Sequence, residues 1–412
     1  FAGTPLLPCC DYYWKVKVWD VSGLESDWSP VASWRTGLFE EFDWEGEWVS
    51  SKFAELLPHR RYKSNRRVEH ENWFMEDSAA VYMRREVEIP VPVRKATAFI
   101  CGLGYYELYI NGRKVGDRVM DPLFTDYDKR VVYATYDVTD YFSTGSNAFG
   151  ILLGNGWYSL PTRDVFGMHD ANWHTPPKVR LNVVVEYESG ARDVIVTDRT
   201  WKWGHGEIVY NSVRSGETID HTKSVHGWNE PGFCDSLWRN VCHVPAPLGK
   251  LTADPMPPMR VVKELKPVGI TETGPGVYLV DFGENLTGWV ETRVRGSRGQ
   301  TVELQFNEVL KADGSLDTQN STWHTRGRYQ TELLILGGDG EETFEPRFTY
   351  HGFRYMQVRG LDYKPAPEDF TAKCVHTDLQ RAGNFSCSMD KLNDLNAAVC
   401  RTLLNAVHGI PG

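Results

Sequence analysis

Apolar and polar positions alternate strictly over many short segments of the chain. Residues 11–20 (DYYWKVKVWD) carry aromatic or valine side chains at every even position from 12 to 18, with lysines between them. Residues 178–187 (KVRLNVVVEY) repeat the pattern with apolar side chains at the odd positions. A two-residue period is that of a β-strand, and the Asn111-Gly112 pair between two such runs predicts a tight hairpin. The pattern therefore predicts a mainly β protein.

A helical period appears near the end of the sequence. Ser388 is the predicted N-cap, Asp390 places a negative charge in the first turn, and Gly409 and Pro411 are stop signals. This stripe needs an apolar partner, either a sandwich onto which the helix folds back or a further helical domain. The stripe positions, three and four residues apart, are Leu392, Leu395, Val399, Leu403 and Ala406.

The predicted fold class is a series of tandem antiparallel β-sandwich domains, jelly-roll or concanavalin-like, followed by one C-terminal helix. Residues 1–37 resemble the C-terminal part of a fibronectin- or immunoglobulin-like domain, because two or three strands do not make a stable sandwich alone. Residues 38–250 are the first predicted sandwich. Prolines between 255 and 267 mark a joint. Residues 251–378 are the second sandwich, and 379–412 are a linker and the helix.

Composition excludes several classes of function. The formal charge is −10 and the longest basic run is a few residues, so a nucleic-acid groove is not expected. The sequence contains no stretch of 18 apolar residues, so no membrane-spanning helix is predicted. The eight cysteines lack zinc-type spacing; a Cys234–Cys242 bridge is one reading, and buried free thiols are the other. Phosphate-loop, zincin and serine-hydrolase motifs are absent from the sequence.

Three carboxylates fall in one turn-rich stretch, at Asp121, Asp126 and Asp128. Hard oxygen ligands on a loop suit calcium, so these three are the candidate metal ligands. The alternative is a solvated turn in which the aspartates hydrogen-bond their own backbone.

Aromatic residues and hydrogen-bonding side chains alternate in the long segment 154–177. An apolar platform beside oriented polar groups is what a sugar site requires. The alternative is that the two tryptophans plug the end of the sandwich. The candidate sugar-binding residues are Asn155, Trp157, Asp170, Asn172 and Trp173.

Several motifs together resemble one enzyme family. Residues 102–117 (GLGYYELYINGRKVGD), 133–139 (YATYDVT) and 153–158 (LGNGWY) are similar to the N-terminal β-sandwich of bacterial α-L-rhamnosidases of glycoside hydrolase family 78. Residues 281–289 (DFGENLTGW) and 346–355 (PRFTYHGFRY) resemble that family's concanavalin-like domain. The matches span nearly the whole chain in the family's order.

The resemblance implies that a linker helix leads into an (α/α)₆ barrel, which carries the general acid and base of an inverting hydrolysis. The family's catalytic carboxylates are expected beyond Gly412, so no catalytic residue is assigned, and the chain is expected to be inactive alone. The reaction requires no cofactor. The N-terminal sandwich of some members binds rhamnose through calcium.

The expected function is therefore that of accessory, sugar-binding domains of an α-L-rhamnosidase, which removes terminal α-L-rhamnosyl groups from glycosides or polysaccharides. The expected partners are such a glycoside and the chain's own catalytic domain, with no nucleic acid. The alternatives are a stand-alone carbohydrate-binding protein and a hydrolase that uses the sandwiches as its own site. A periplasmic or extracellular location is favoured over a cytoplasmic one.

Overall fold

The computed structural model describes residues 3, 5–52, 78–162, 164–318 and 327–411, and the predicted mainly β fold class is confirmed. In chain order to residue 253, the strands are β1 (Asp11–Trp14), β2 (Ala32–Arg35), β3 (Val49–Ser50), β4 (Val81–Ile89), β5 (Val93–Leu103), β6 (Tyr105–Ile110), β7 (Arg113–Lys114), β8 (Arg130–Asp137), β9 (Gly145–Gly154), β10 (Lys178–Tyr187), β11 (Arg192–Val196), β12 (Lys202–Gly204), β13 (Ile208–Ser212), β14 (Gly216–Asp220), β15 (Arg239–Asn240), β16 (Cys242–His243) and β17 (Lys250–Ala253).

The second half of the chain adds further strands and the α-helix. These are β18 (Met259–Leu265), β19 (Gly269–Gly274), β20 (Val277–Arg295), β21 (Thr301–Asn307), β22 (Thr331–Ile335), β23 (Glu341–Phe344), β24 (His351–Arg359), β25 (Phe370–Thr377), α1 (Asp390–Asn405), β26 (Val407–His408) and β27 (Ile410–Pro411). Short 3-10 turns lie at Glu41–Asp43, Thr139–Tyr141, Met168–Asp170, His221–Lys223 and Pro367–Asp369.

Two sheets form the first sandwich. Sheet A has the order β16-β3-β10-β5-β8-β17, with β11 also paired to β10, and sheet B has the order β15-β12-β4-β9-β6-β7. Their facing sides enclose a core that includes Met83, Ile100, Leu108, Phe149 and Leu181. The predicted hairpin is confirmed: β6 and β7 meet at Asn111 and Gly112, whose φ values of 52° and 76° are those of a type I′ turn.

Sheet C forms the second β-domain and also takes strands from the first segment. Its order is β13-β14-β22-β21-β24-β20-β25-β18, with β19 and β23 also paired to β20. The β13–β14 hairpin lies inside the sequence segment 38–250, yet β14 pairs in parallel with β22 of the second segment. The two β-domains therefore share a sheet as well as an apolar interface, which includes Leu152, Ile208, Trp289 and Phe348.

The 19-residue strand β20 changes partners along its length, and the sheet bends around a second core at this strand. Its first part pairs with β24 and its second part with β25 and β23. Gly288 lies at the change and pairs with both His351 and Cys374. A Cβ at this position would lie 1.8 Å from the carbonyl oxygen of Lys373, so only glycine fits.

The N-terminal hairpin differs from its prediction. The predicted strand over 11–20 ends at Trp14, because the next amides donate to serine side chains instead of the opposing backbone. Val16 N–H donates to Ser29 Oγ (2.9 Å) and Val18 N–H to Ser26 Oγ (3.1 Å), which ends the regular ladder.

The C-terminal helix is confirmed, but its predicted N-cap is wrong. Met389, not Ser388, occupies the N-cap of α1. No side chain caps the first turn; instead the Asn393 side chain fixes the preceding segment, since its Oδ1 accepts from Cys387 N–H (2.9 Å) and its Nδ2 donates to Cys387 C=O (2.8 Å). Among the described residues no helix is long and apolar enough to cross a bilayer.

All eight cysteines are free thiols, so Cys234 and Cys242 form no bridge. Cys9, Cys101 and Cys374 are buried, as predicted, whereas Cys234 and Cys387 are exposed.

Candidate functional site

The long connection between β9 and β10 covers one end of the first sandwich and carries the predicted sugar-binding residues. Asn155 opens it but is buried. Its Nδ2 donates to the carbonyl oxygens of Ser78 and Asn211, both at 3.0 Å, and its N–H donates to Asn211 Oδ1 at 2.7 Å. Asn155 therefore joins the end of β9 to β13 as a buried structural residue.

The two tryptophans belong to an aromatic cluster formed by Phe124, Tyr127, Trp157, Tyr158 and Trp173. The ring centroids of Tyr127 and Trp173 are 5.5 Å apart, and those of Phe124 and Trp157 are 6.3 Å apart, all edge to face. Both tryptophans are half-buried against these rings. This geometry favours the alternative in which they plug the end of the sandwich.

The two remaining predicted sugar residues lie further along the same loop. Asn172 is exposed on the loop. Asp170 ends the 3-10 turn Met168–Asp170, and its side chain lies outside the described part of the structure. Among the four predicted residues whose side chains the structure describes, Asn155 is buried, the two tryptophans are half-buried and Asn172 is exposed.

A residue that the sequence analysis missed, Arg214, lies against this loop from the connection between β13 and β14. Its guanidinium carbon is 5.1 Å from the centroid of the Trp157 ring and 5.2 Å from that of Phe166. Its Nε faces Asp164 Oδ2 at 3.4 Å. Nothing in the sequence indicated this residue, because Arg214 lies 48 positions from Phe166 and 57 from Trp157, and no local motif marks it.

Asp164 is the buried anchor of this arrangement, and its side chain is fully shielded. Its Oδ1 accepts from Met168 N–H at 3.0 Å. Burial raises the pKa of Asp164, but hydrogen bonds from His169 and Met168 and the charge of Arg214 outweigh it, so the pKa lies below its usual value. The carboxylate therefore stays ionised beside Arg214.

The three aspartates of the candidate calcium site have separate roles. Asp121 is buried and accepts from Tyr106 Oη at 2.6 Å, with Arg118 at 3.5 Å. Asp126 is exposed and pairs with Lys129. Burial raises the pKa of Asp121 above its ordinary value. Within the described ranges no three acidic, histidine or cysteine side chains form a group able to hold a metal ion, so Asp121, Asp126 and Asp128 do not come together as one set of ligands.

A second group of titratable residues, the interdomain acid cluster, comprises Glu217, Glu332 and His351 and lies where the β13–β14 hairpin enters sheet C. Glu217 accepts from the N–H groups of Arg347 (3.1 Å) and Phe348 (2.7 Å). Glu332 accepts from Glu217 N–H and contacts His351 Nε2. Burial and the neighbouring Glu332 raise the pKa of Glu217 to about 8. All three side chains are buried, so they cannot reach a substrate.

Comparisons with protein families match most of the chain. The "Alpha-L-rhamnosidase N-terminal domain" matches residues 91–263, and the "Bacterial alpha-L-rhamnosidase concanavalin-like domain" matches residues 271–376. The "Rha78A-like, N-terminal immunoglobulin domain" matches residues 1–40.

Similarities to whole proteins and to solved structures agree with these family matches. An α-L-rhamnosidase of Formosa agariphila is 34% identical over all of this chain, which spans 44% of that protein. The α-L-rhamnosidase structure from Dictyoglumus thermophilum has a TM-score of 0.87 and 36% identity, covering 100% of this chain and 44% of its own. A Streptomyces avermitilis α-L-rhamnosidase "complexed with L-rhamnose" has a TM-score of 0.87 and 27% identity, covering 100% of this chain and 54% of its own.

The class that these β-domains define is the N-terminal β-region of a carbohydrate-active enzyme. The chain belongs to the α-L-rhamnosidases of glycoside hydrolase family 78, of which it carries the N-terminal and concanavalin-like domains. It spans less than half the length of the curated relatives that it matches. The alternative of a stand-alone carbohydrate-binding protein is not favoured, since these relatives are α-L-rhamnosidases.

Proposed function

We propose that this chain is the supporting part of an enzyme that hydrolyses terminal α-L-rhamnosyl residues from glycosides or polysaccharides with inversion. In this proposal the two carboxyl groups of the reaction lie in a separate catalytic domain of the same polypeptide. An inverting hydrolysis needs a general acid, a general base and water, so no cofactor is part of the proposal. A polysaccharide substrate too large to cross a membrane would place the enzyme in the periplasm or outside the cell.

The observation that carries this proposal is the uncovered apolar face of α1. Leu392, Leu395, Val399 and Leu403 lie on one side of the helix with 44% to 58% of their surfaces exposed, and no residue of α1 is buried. A stripe of this kind on a water-soluble helix normally packs against another element. The family membership makes the catalytic domain the partner that we propose for it.

The C-terminal end of α1 is fixed on the second β-domain by several contacts. Thr287 Oγ1 donates to the carbonyl oxygen of Asn405 (3.0 Å), and Arg401 lies 3.7 Å from Glu284. After the helix, His408 stacks on Tyr350 at 4.3 Å, and Gly409 N–H donates to Thr377 Oγ1 at 2.7 Å. These contacts leave the apolar stripe facing away from the sheet, where a helical domain would dock.

The β-domains themselves offer poor chemistry for glycoside hydrolysis. Glu217 and Glu332 are close together, but both are buried and held by backbone amides. The carboxylates of an inverting enzyme must instead leave room for a water and a sugar, at a separation of about 6.5–9.5 Å. These features favour a supporting role for the β-domains rather than a catalytic site of their own.

An aryl α-L-rhamnoside assay on the purified 412-residue chain tests this division of labour. We expect no release of the aryl group above buffer. Glu217→Gln and Glu332→Gln variants serve as controls for trace activity that originates in the chain. Turnover that survives purification and disappears in either variant would place the chemistry in the β-domains and refute the proposal.

A further inference from the structure

A tight turn at residues 164–167 raises two apolar side chains above the end of the first sandwich. Gly167 N–H donates to the carbonyl oxygen of Asp164 at 3.3 Å, and Gly167 has a φ of 71°. Phe166, at the tip, keeps 65% of its surface exposed. An exposed aromatic ring on a turn is a flat apolar surface available to a ligand.

Arg214 contacts the Phe166 ring and links it to the second β-domain. Its guanidinium carbon lies close to the rings of both Phe166 and Trp157. The carbonyl oxygen of Arg214 accepts from Gln330 N–H at 3.0 Å, which ties the residue to sheet C. Elements of both β-domains therefore fix the ring and the guanidinium relative to each other.

Arg214 has hydrogen-bond donors to spare. Asp164 engages its Nε, whereas no described residue accepts from its two terminal amino groups. Its side chain is 19% exposed, so these groups remain accessible. The buried, ionised Asp164 balances the charge of Arg214, and the site offers oriented donors without a net positive charge.

We propose that Phe166 and Arg214 form a binding subsite for a neutral pyranose unit. One C–H face of the sugar stacks on the open side of Phe166, and the terminal amino groups of Arg214 donate to two neighbouring hydroxyl oxygens. This inference rests on the proposed function and deepens it, because the unit bound here belongs to the part of the substrate that follows the terminal rhamnose.

The position of the subsite fits that role. Tyr350 stacks on His408, in the segment that follows α1. Trp157, which the Arg214 guanidinium contacts, and Tyr350 both pack against the apolar interface between the two β-domains. The subsite and the segment after α1 therefore both border this interface.

Ligand-observed NMR and calorimetry on the 412-residue chain test the subsite. The probes are L-rhamnose, α-L-rhamnosyl-(1→6)-glucose and a rhamnosyl-galacturonate disaccharide. We expect the neutral disaccharide to bind more tightly than rhamnose. Phe166→Ala should weaken it roughly three- to tenfold by removing the stacking face, and Arg214→Gln about tenfold by removing charged donors. Arg214→Lys should also weaken it, because lysine lacks the two-donor fork.

Phe42→Ala, at another exposed phenylalanine, is the matched control and should bind like the unmodified chain. Circular dichroism of each variant establishes that it is folded. Equal affinity in the Phe166 and Arg214 variants, or binding of the acidic disaccharide alone, would overturn the assignment of a neutral sugar subsite. Neither result touches the rhamnosidase assay, so this inference and the proposed function fail separately.

Discussion

At the scale of single residues, burial decides roles that the sequence pattern leaves open. The alternation in β10 predicted a strand, but Arg180 and Asn182, on its polar face, are buried. Residues before β3 cover that face: Arg180 Nε donates to the carbonyl oxygen of Gly46, and Asn182 Oδ1 accepts from Gly46 N–H. Periodicity identifies a strand, but it does not show which distant segment packs on its second face.

Asn155 and Asn172 illustrate the same limit, since both were sugar-binding candidates. Asn155→Ala should lower the free energy of unfolding by about 2–3 kcal/mol, because it removes the two hydrogen bonds that Asn155 Nδ2 donates to the buried carbonyl oxygens of Ser78 and Asn211. Asn172→Ala, at an exposed position, is the matched control and should change it by less than about 0.5 kcal/mol. Chemical denaturation measures both, and similar values for the two variants would contradict the structural role of Asn155.

The interdomain acid cluster gives a pH dependence with a definite sign. The folded-state pKa of Glu217 is about 8, above its ordinary value of 4.5, so the folded chain holds a proton that the unfolded chain releases between these pH values. Stability should therefore fall as the pH rises towards 8. We expect a loss of roughly 2–4 kcal/mol between about pH 5 and pH 9 from this group.

Glu217→Gln mimics the protonated form and should remove most of that loss, as measured by urea denaturation at both pH values. Glu264→Gln, an exposed glutamate in β18, should leave the pH dependence as it was. If Glu217→Gln keeps the full pH dependence, Glu217 is not the titrating group.

At the scale of elements, the β13–β14 hairpin joins the two β-domains. Its residues lie in the segment that the sequence assigns to the first sandwich, but its pairing partner β22 comes more than 100 positions later. A parallel pairing of that kind has no local signal, whereas the Asn111-Gly112 hairpin does. This is why the strands were largely predictable and the sharing of a sheet was not.

Gly216, at the start of β14, tests this joint. Its φ is 101°, and a Cβ would lie 2.2 Å from the carbonyl oxygen of Thr331. Gly216→Ala should therefore cost about 3 kcal/mol or more and separate the unfolding of the two β-domains into two transitions. Gly190→Ala, with a φ of 82° and open space, is the control and should cost about 1 kcal/mol with one transition. Scanning calorimetry measures the number of transitions in each variant. The same stability loss and a single transition in both would refute the role of the β13–β14 hairpin in joining the two β-domains.

For helix α1, unlike the β13–β14 hairpin, we expect substitutions to change the stability of this chain very little. Because Leu395 and Val399 are exposed in this chain, a Leu395→Ser and Val399→Ser double variant should change its free energy of unfolding by less than about 1 kcal/mol. In the natural polypeptide that includes the catalytic domain, the same variant should lower the unfolding temperature. Thermal denaturation of both forms measures this, and a large loss in the 412-residue chain alone would show that the stripe already has a partner.

At the scale of the whole molecule, the family motifs and their order along the chain predicted more of the architecture than the hydrophobic pattern did. Segments such as 102–117 and 346–355 indicated the family, and the family matches over 91–263 and 271–376 agree with it. The structure shows why one of these motifs is informative: in 346–355, Arg347 and Phe348 amides bind Glu217, and Tyr350 stacks on His408. The subsite at Arg214 escaped prediction because its parts come from three distant segments.

The central claim is that this chain supports a catalytic domain that removes rhamnose with inversion. The most direct measurement is proton NMR of an aryl α-L-rhamnoside during hydrolysis by the natural polypeptide that contains residues 1–412 and the sequence that follows. The account predicts that β-L-rhamnose appears first and the α-anomer later by mutarotation, while residues 1–412 alone release no sugar. α-L-Rhamnose as the first product, or no hydrolysis by the longer polypeptide, would contradict it.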